Sequence, residues 1–489
     1  MNKQEKFKEL VGKLKELHYL SGLTNLAVWD QQVYLPSGGA VERGEQIGLL
    51  AKVRHERAND PALFDLVQEL SARSDLTDEE KVVVNETLRD LTKERKKPAA
   101  LIQALASAES ESHTAWLEAR SKKQFSLVVN QVKKILELKK EYAQAINSDL
   151  SIYDTLVDDF ERDARSKDIF DRFSQVKSTV IDLLAKQPSD SFSRTLRLPV
   201  KIDKQTEFFT KLATKIGFDF ERGRIDKTVH PFMALAGSSD VRLTARFKED
   251  DLFYGLFGFL HEMGHGIYEQ GMNPNWTGTP LSENCSLVVH ESQSLLFEKQ
   301  LGFSREFQDL LLKELQNQFP NDTRKYTAEA LYQNWNTSKL SLIRLESSEL
   351  GYALHIILRT ELESKLFDGD LSFADLPDAW REKCQEYFGM EPADDLEGCL
   401  QDVHWYSGLF GYFPHYLGGA MYAAQLMDTF KASKKTSLAT EEGVKELLEW
   451  LRKKVHSQGR TLTANKLLQK ITGAELSAES YLKYLKQSI

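Results

Sequence analysis

The sequence predicts a mainly α-helical protein with one small β-sheet. Two observations carry that prediction: apolar residues recur at helical spacing along the whole chain, and two-residue alternation is scarce. Phe7, Leu10, Val11, Leu14 and Leu17 share one face of a first helix. Val128, Val129, Val132, Ile135 and Leu136 make a second stripe, and Val444, Leu447, Leu448, Leu451 and Val455 a third near the C-terminus. A hydrophobic share of 41% is enough to bury such stripes in a large core.

Alternation is clear only from Asp240 to Phe247, where Val241, Leu243, Ala245 and Phe247 interleave with Arg242, Thr244 and Arg246. That is the pattern of a half-buried strand. A second candidate, Leu196 to Ile202, contains Pro199, which confines it to a sheet edge or a strand end. With 12 prolines, no fixed-period repeat and no low-complexity linker, no sharp boundary divides residues 1–489; the length is enough for several cores, and one continuous two-lobed domain uses it equally well. Its softest division is the polar stretch from Lys186 to Arg194, expected to separate a helical N-terminal part from the part that carries the chemistry.

The formal net charge is -9, from 64 Lys and Arg against 73 Asp and Glu dispersed along the chain. Nucleic acid and anionic membrane both call for a basic face, so neither is the expected partner. The opening MNKQEKFKEL lacks the apolar run of a secretory signal, and no stretch approaches a membrane span, so a cytoplasmic location is expected. Cys285, Cys384 and Cys399 are odd in number and form no CxxC pair, which points to reduced thiols rather than a disulfide framework or a cysteine metal site.

The chemistry centres on GLFGFLHEMGHGIYEQ, residues 255–270. His261 and His265 are four apart, so on a helix both imidazoles reach one cation while Glu262 occupies the adjoining flank as a candidate general base. A catalytic zinc keeps three protein ligands and an open corner, so a third ligand is required. Glu291, in His290–Ser294 (HESQS), is the leading candidate, and Glu283 after Pro280 is the alternative. Such a site suits one Zn2+ per chain, with Co2+ compatible with the same ligands. Isolated histidines such as His18, His55, His113 and His456 read as surface or packing residues.

Several further motifs occur in order: Trp29-Asp30 with PSGGA at 36–40 and Arg43, Glu45 and Gln46; His230-Pro231-Phe232; Asp240, Arg242 and Thr244; HEMGH; HESQS; and Gly398–Trp405 (GCLQDVHW) continuing into SGLFGYFPHY. Together they resemble the signatures of the carboxypeptidase Taq family of metallocarboxypeptidases almost end to end. Two places depart from the pattern. Ser347 and Ser348 close a segment, Ile343 to Ser348, where the family has IRxxAD, and Leu295 and Phe297 stand where Arg and Trp are usual.

The resemblance implies a fold similar to the angiotensin-converting-enzyme and neurolysin group, a two-lobed helical body around a deep groove with the sheet beside the zinc helix. It also implies a homodimer and metal-dependent removal of C-terminal residues from short peptides. Arg242 and Arg344 would hold the substrate's terminal carboxylate as guanidinium forks. His404, Tyr412 and Tyr416 would donate to the oxyanion. Because the strand of Arg242 lies just before the metal helix, an extended peptide is expected to add to it as a further strand, giving broad specificity. The competing readings are a dipeptidyl or endo-oligopeptidase on the same fold, and a catalytically silent zinc protein that binds peptides.

Overall fold

The computed structural model describes residues 2–186, 196–336, 340–434 and 436–487. It is mainly helical with one three-stranded sheet. The polar stretch at 187–194, where the sequence reads as a soft division, lies outside the described residues. The chain gathers into two compact units, each assembled from separated segments: Met1–Arg95, Thr195–Tyr332 and Leu426–Glu475 form the first, and Lys96–Arg194, Gln333–Gln425 and Leu476–Ile489 the second.

In the first unit, the opening helix runs Lys3–Val33 and starts at a capping box, in which the Asn2 side chain accepts from Glu5 N–H and Glu5 accepts from Asn2 N–H. Its predicted stripe packs as expected: Leu10 and Leu14 are buried with Leu63, Val67, Leu70 and Val84 of the next helices, while Phe7 and Leu17 cover the margin. Gly22 brings this helix onto the sheet, since a Cβ there would lie 2.4 Å from the Ala236 carbonyl. The third stripe, on Glu441–Lys454, is buried at Val444, Leu447, Leu448 and Leu451, and Val455 follows it inside.

The sheet has order β1-β3-β2, with β1 Gly223–Lys227, β2 Met233–Gly237 and β3 Asp240–Ala245. β3 is the predicted strand, ending two residues before Phe247. It pairs parallel with β1 and antiparallel with β2, so both of its edges are taken. This corrects the expectation that a peptide adds alongside Arg242, because a central strand has no free ladder to offer. The candidate strand from Leu196 to Ile202 forms no ladder. Leu198 and Val200 instead make isolated backbone bonds with Leu252 and Glu249, and Ile202 already opens a helix.

In the second unit, Val128, Val132, Ile135 and Leu136 are buried along the predicted stripe. The helix Glu349–Asp368 is buried on almost every side and packs against Ser166–Ala185 and Leu376–Phe388. Cys384 and Cys399 are buried thiols, whereas Cys285 is half-buried. Among the described residues, no helix is long and apolar enough to cross a membrane.

Candidate metal centre

HEMGH lies on the helix Phe253–Gln270, whose apolar residues Leu256, Phe259, Leu260, Met263 and Ile267 are buried. HESQS lies on Leu287–Leu295, capped by Ser286, which accepts from Val289 N–H at 3.1 Å. The two helices meet where Gly264 interrupts the larger side chains: a Cβ there would sit 2.6 Å from the Gln293 carbonyl and 2.7 Å from Ser294 Cα. Gly266 does the same on the sheet side, against Leu243 and Phe218 of the same unit. Small residues at these points let the first helix lie close to both the sheet and the second helix, which sets the reach of the side chains between them.

The result is convergence. Ligand atoms of His261, His265 and Glu291 lie within 4.8 Å of one another, with Glu291 Oε2 at 3.9 Å from His261 Nε2 and 3.6 Å from His265 Nε2. Glu283 is engaged elsewhere, 3.1 Å from Arg460. The spacing and the mixed imidazole and carboxylate donors suit a single divalent cation. Next to His265, the His290 ring stacks at 4.2 Å between centroids, and His290 Nε2 lies 3.3 Å from Glu269 Oε1.

The electrostatics point the same way. Burial disfavours charge on His261, but Glu291, Glu298 and Glu262 around it outweigh burial and hold the ring well above the ordinary histidine value. Burial, with neighbouring His290 and His261, pushes His265 well below that value. Burial raises Glu262 to about 7, with Glu291 and Glu298 adding to the rise and His261 and His290 opposing it. An acidic surround that favours a proton on an imidazole also favours a metal ion there.

Arg242 lies on β3. Its Nε and Nη2 donate to Asp240 at 2.9 and 2.8 Å, and its guanidinium lies 4.2 Å from the centroid of Trp29. The neighbouring signatures interlock here as well: Thr244 Oγ1 accepts from Phe232 N–H at 2.8 Å and donates to Phe232 C=O at 2.9 Å. Near Trp29, Arg43 pairs with Asp30 at 2.6 Å. The HPF, DxRxT and N-terminal motifs are thus parts of one assembly around the sheet.

The other predicted residues form a cluster in the second unit. Asp402 accepts from Arg344 Nη2 at 2.8 Å and from Arg359 Nε at 2.7 Å, and it is ion-paired with Arg359 Nη2 at 2.6 Å. Gln401 fixes the backbone beside Arg344, accepting from Arg344 N–H at 2.9 Å and donating to Leu342 C=O at 3.0 Å. His404 Nε2 lies 3.2 Å from Tyr416 Oη, and Tyr412 packs against both rings. Burial lowers His404 to about 4, with Arg344 and Arg359 adding to the effect against the pull of Asp402, so the ring is neutral near pH 7. Both predicted arginines therefore carry a carboxylate on one edge of the guanidinium. That fixes their orientation, and the opposite Nη1 of Arg344 lies 3.5 Å from Tyr352 Oη.

The departures also find structural roles. Ser348 is the N-cap of Glu349–Asp368 and accepts from Gly351 N–H at 3.4 Å, a task serine and aspartate perform equally. Ser347 accepts from Ser341 N–H at 3.3 Å. Leu295 and Phe297 are buried. Three residues escape the sequence reading: Glu298, 2.8 Å from His261 Nδ1, Asp402 and Arg359. The only local signal was that Glu298 follows Glu291 by two helical turns and that Asp402 lies inside GCLQDVHW.

Two histidines four apart on one helix, a glutamate from the next and a second carboxylate beside them define the HExxH metallopeptidase class. The profile of the Carboxypeptidase Taq (M32) metallopeptidases matches residues 9–489. Thermostable carboxypeptidase 1 of Thermus thermophilus is 34% identical, with 100% of this chain and 99% of that protein covered. Carboxypeptidase 1 of Bacillus subtilis is also 34% identical, covering 98% of this chain and 97% of that one. The crystal structure of the M32 carboxypeptidase from Deinococcus radiodurans superposes with a TM-score of 0.95 at 34% identity, covering 99% and 98% of the two chains. Trypanosoma cruzi metallocarboxypeptidase 1 gives 0.94 at 30% identity, covering 99% of each. The chain belongs to the carboxypeptidase Taq family and is by family a metallocarboxypeptidase, which implies a metal cofactor and peptide substrates.

Proposed function

We propose that the chain removes C-terminal residues from short, unfolded peptides with broad specificity, using one Zn2+, for which Co2+ can substitute, held by His261, His265 and Glu291. The observation that carries this reading is the convergence of those donors within 4.8 Å, beside Glu262, in a chain of carboxypeptidase family. When bound, the cation polarises the scissile carbonyl and acidifies water. Glu262 takes the water's proton on a carboxylate oxygen and delivers it to the leaving amine nitrogen. Neutral His404 donates a ring N–H to the developing oxyanion, supported by Tyr416, with Tyr412 a further donor. Arg242 and Arg344, each oriented by an aspartate, bind the terminal carboxylate. The same reading carries a cytoplasmic location, a homodimer and a single peptidase domain.

The pairing of Arg242 with Asp240 and of Arg344 with Asp402 also supports a second reading, in which both arginines are structural and the enzyme cleaves internally as a dipeptidyl or endo-oligopeptidase. Mass spectrometry of a peptide pool with free or amidated C-termini separates the two. Stepwise shortening that amidation abolishes supports the carboxypeptidase, whereas unimpaired cleavage of amidated peptides refutes it. Loss of hydrolysis on chelation and its return with Zn2+ tests the metal. Hydrolysis and metal content both unchanged in Glu262→Gln would overturn the general-base role of Glu262, whereas a metal-loaded parent chain that binds peptides but hydrolyses none would leave a peptide-binding zinc protein as the surviving account.

A further inference from the structure

His261 is held from behind. Its Nδ1 lies 2.8 Å from Glu298 Oε2, while its Nε2 faces Glu291. Glu298 sits in the turn Leu296–Leu301, which continues the HESQS helix but is wound as a π-helix. Such wide turns are uncommon and concentrate at functional sites. The flanking Leu296, Phe297 and Leu301 are buried, so the turn is anchored in the core and the carboxylate is presented from a fixed backbone. The other Glu298 oxygen, Oε1, is 2.8 Å from Lys299 Nζ.

The geometry points to Glu298 as a positioning residue for the metal, a role that rests on the reading of His261 as a ligand. Nδ1–H donates to the carboxylate, which leaves the Nε2 lone pair directed at the cation and makes the imidazole a better donor. The bond also removes rotation of the ring about its Cβ–Cγ axis, so His261 meets the cation with less ordering to do. Among the described residues His265 Nδ1 has no hydrogen-bond partner; its ring is instead stacked on His290. The two ligands are therefore supported by different means, an ion-assisted hydrogen bond for one and ring packing for the other. This predicts unequal sensitivity to loss of nearby carboxylates.

The alternative is that Glu298 serves only to neutralise Lys299 inside the fold. Three variants of the full chain separate these: Glu298→Gln, Glu298→Ala and Lys299→Met. Zn2+ affinity is read by competition with a chromophoric chelator, the ligand field by the visible spectrum of the Co2+-loaded protein, and folding by the melting temperature of the metal-free chain. Loss of an outer carboxylate typically weakens a metal site about 10- to 100-fold. Glu298→Gln, which keeps an acceptor but not the charge, is expected near the lower end of that range, and Glu298→Ala near the upper end with an altered Co2+ spectrum. Lys299→Met, which breaks the ion pair but leaves the Nδ1 bond, is expected to stay within about threefold of the parent. Parent affinity in both Glu298 variants, or equal weakening by Lys299→Met, overturns the positioning role while leaving the metal reading intact. A parent chain that binds no cation overturns both.

Discussion

The metal cluster of the first unit and the arginine cluster of the second are opposites in charge. Around His261 stand the carboxylates of Glu262, Glu291 and Glu298, with Lys299 as the cationic neighbour. Around Asp402 stand two guanidiniums, Arg344 and Arg359, beside a histidine that is neutral at pH 7. The first arrangement holds more negative charge than it neutralises and stabilises a cation; the second holds more positive charge and stabilises an anion. They also differ in origin. The candidate metal donors come from α-helices consecutive in sequence, whereas the arginine cluster joins Arg344, Arg359 and Asp402 from three separate segments. Lost interactions in the first are expected to appear chiefly as chemistry, and in the second chiefly as stability.

The largest effect expected is that of Glu262→Gln. It should lower kcat/KM by about 10²–10⁴-fold, the usual range for a general base, with metal content and melting temperature retained. A variant that lost metal and fold as well would erase the distinction between the clusters. Asp402→Ala should do the converse and destabilise the chain by about 3–5 kcal/mol in denaturant unfolding, because buried Arg359 and Arg344 would be left without their counter-charge. A loss below about 1 kcal/mol would mean that solvent already screens the cluster.

Acid should sharpen the contrast. His404 is lowered to about 4 and His355 to about 3, in both cases by burial first, with Arg359 and Arg344 adding to it. His456, in the first unit, is likewise lowered to about 3 by burial and by Arg452. Each folded value lies below the unfolded one, so between about pH 6.5 and 4 the unfolded chain binds protons that the folded chain refuses, and stability falls as pH drops through that window. Asp402 acts in a lower range: its carboxylate is held far below normal, burial opposing but both arginines outweighing it, and its contribution survives until the pH falls beneath the ordinary aspartate value. Unfolding free energies measured from pH 7 to 4 should decline by at least about 2 kcal/mol, and a flat profile would contradict the neutral, buried state of these rings. The smallest effect expected is that of Gly264→Ala, about 1–3 kcal/mol, as the HESQS helix is displaced by a Cβ 2.6 Å from the Gln293 carbonyl. Metal affinity should fall with it, which calorimetric titration with Zn2+ would register.

Short-range periodicity is what the sequence makes visible. The helical stripes, the strand at β3 and the pairing of His261 with His265 follow from side chains repeating at backbone intervals, and all are legible before folding. β1 and β2 escape notice because Gly223–Lys227 is short and polar and Met233–Gly237 does not alternate. The candidate at Leu196 to Ile202 fails for a related reason: alternation shows which face could be buried, but not whether a neighbouring strand is there to pair.

By itself the sequence determined that the protein is helical, that HEMGH presents two imidazoles and a carboxylate on one turn, and, through its ordered motifs, which family it resembles. Only the tertiary structure brings Glu291, and not Glu283, up to the two imidazoles, because Gly264 allows a second helix to approach and Arg460 engages Glu283. The tertiary structure likewise decided that β3 is central and closed to a further strand, and that Asp402 and Glu298 orient Arg344 and His261. The physical reason is common to all of these. Spacing along the backbone is fixed by local geometry, whereas partners distant in sequence are fixed only when close packing selects one arrangement of the elements that carry them.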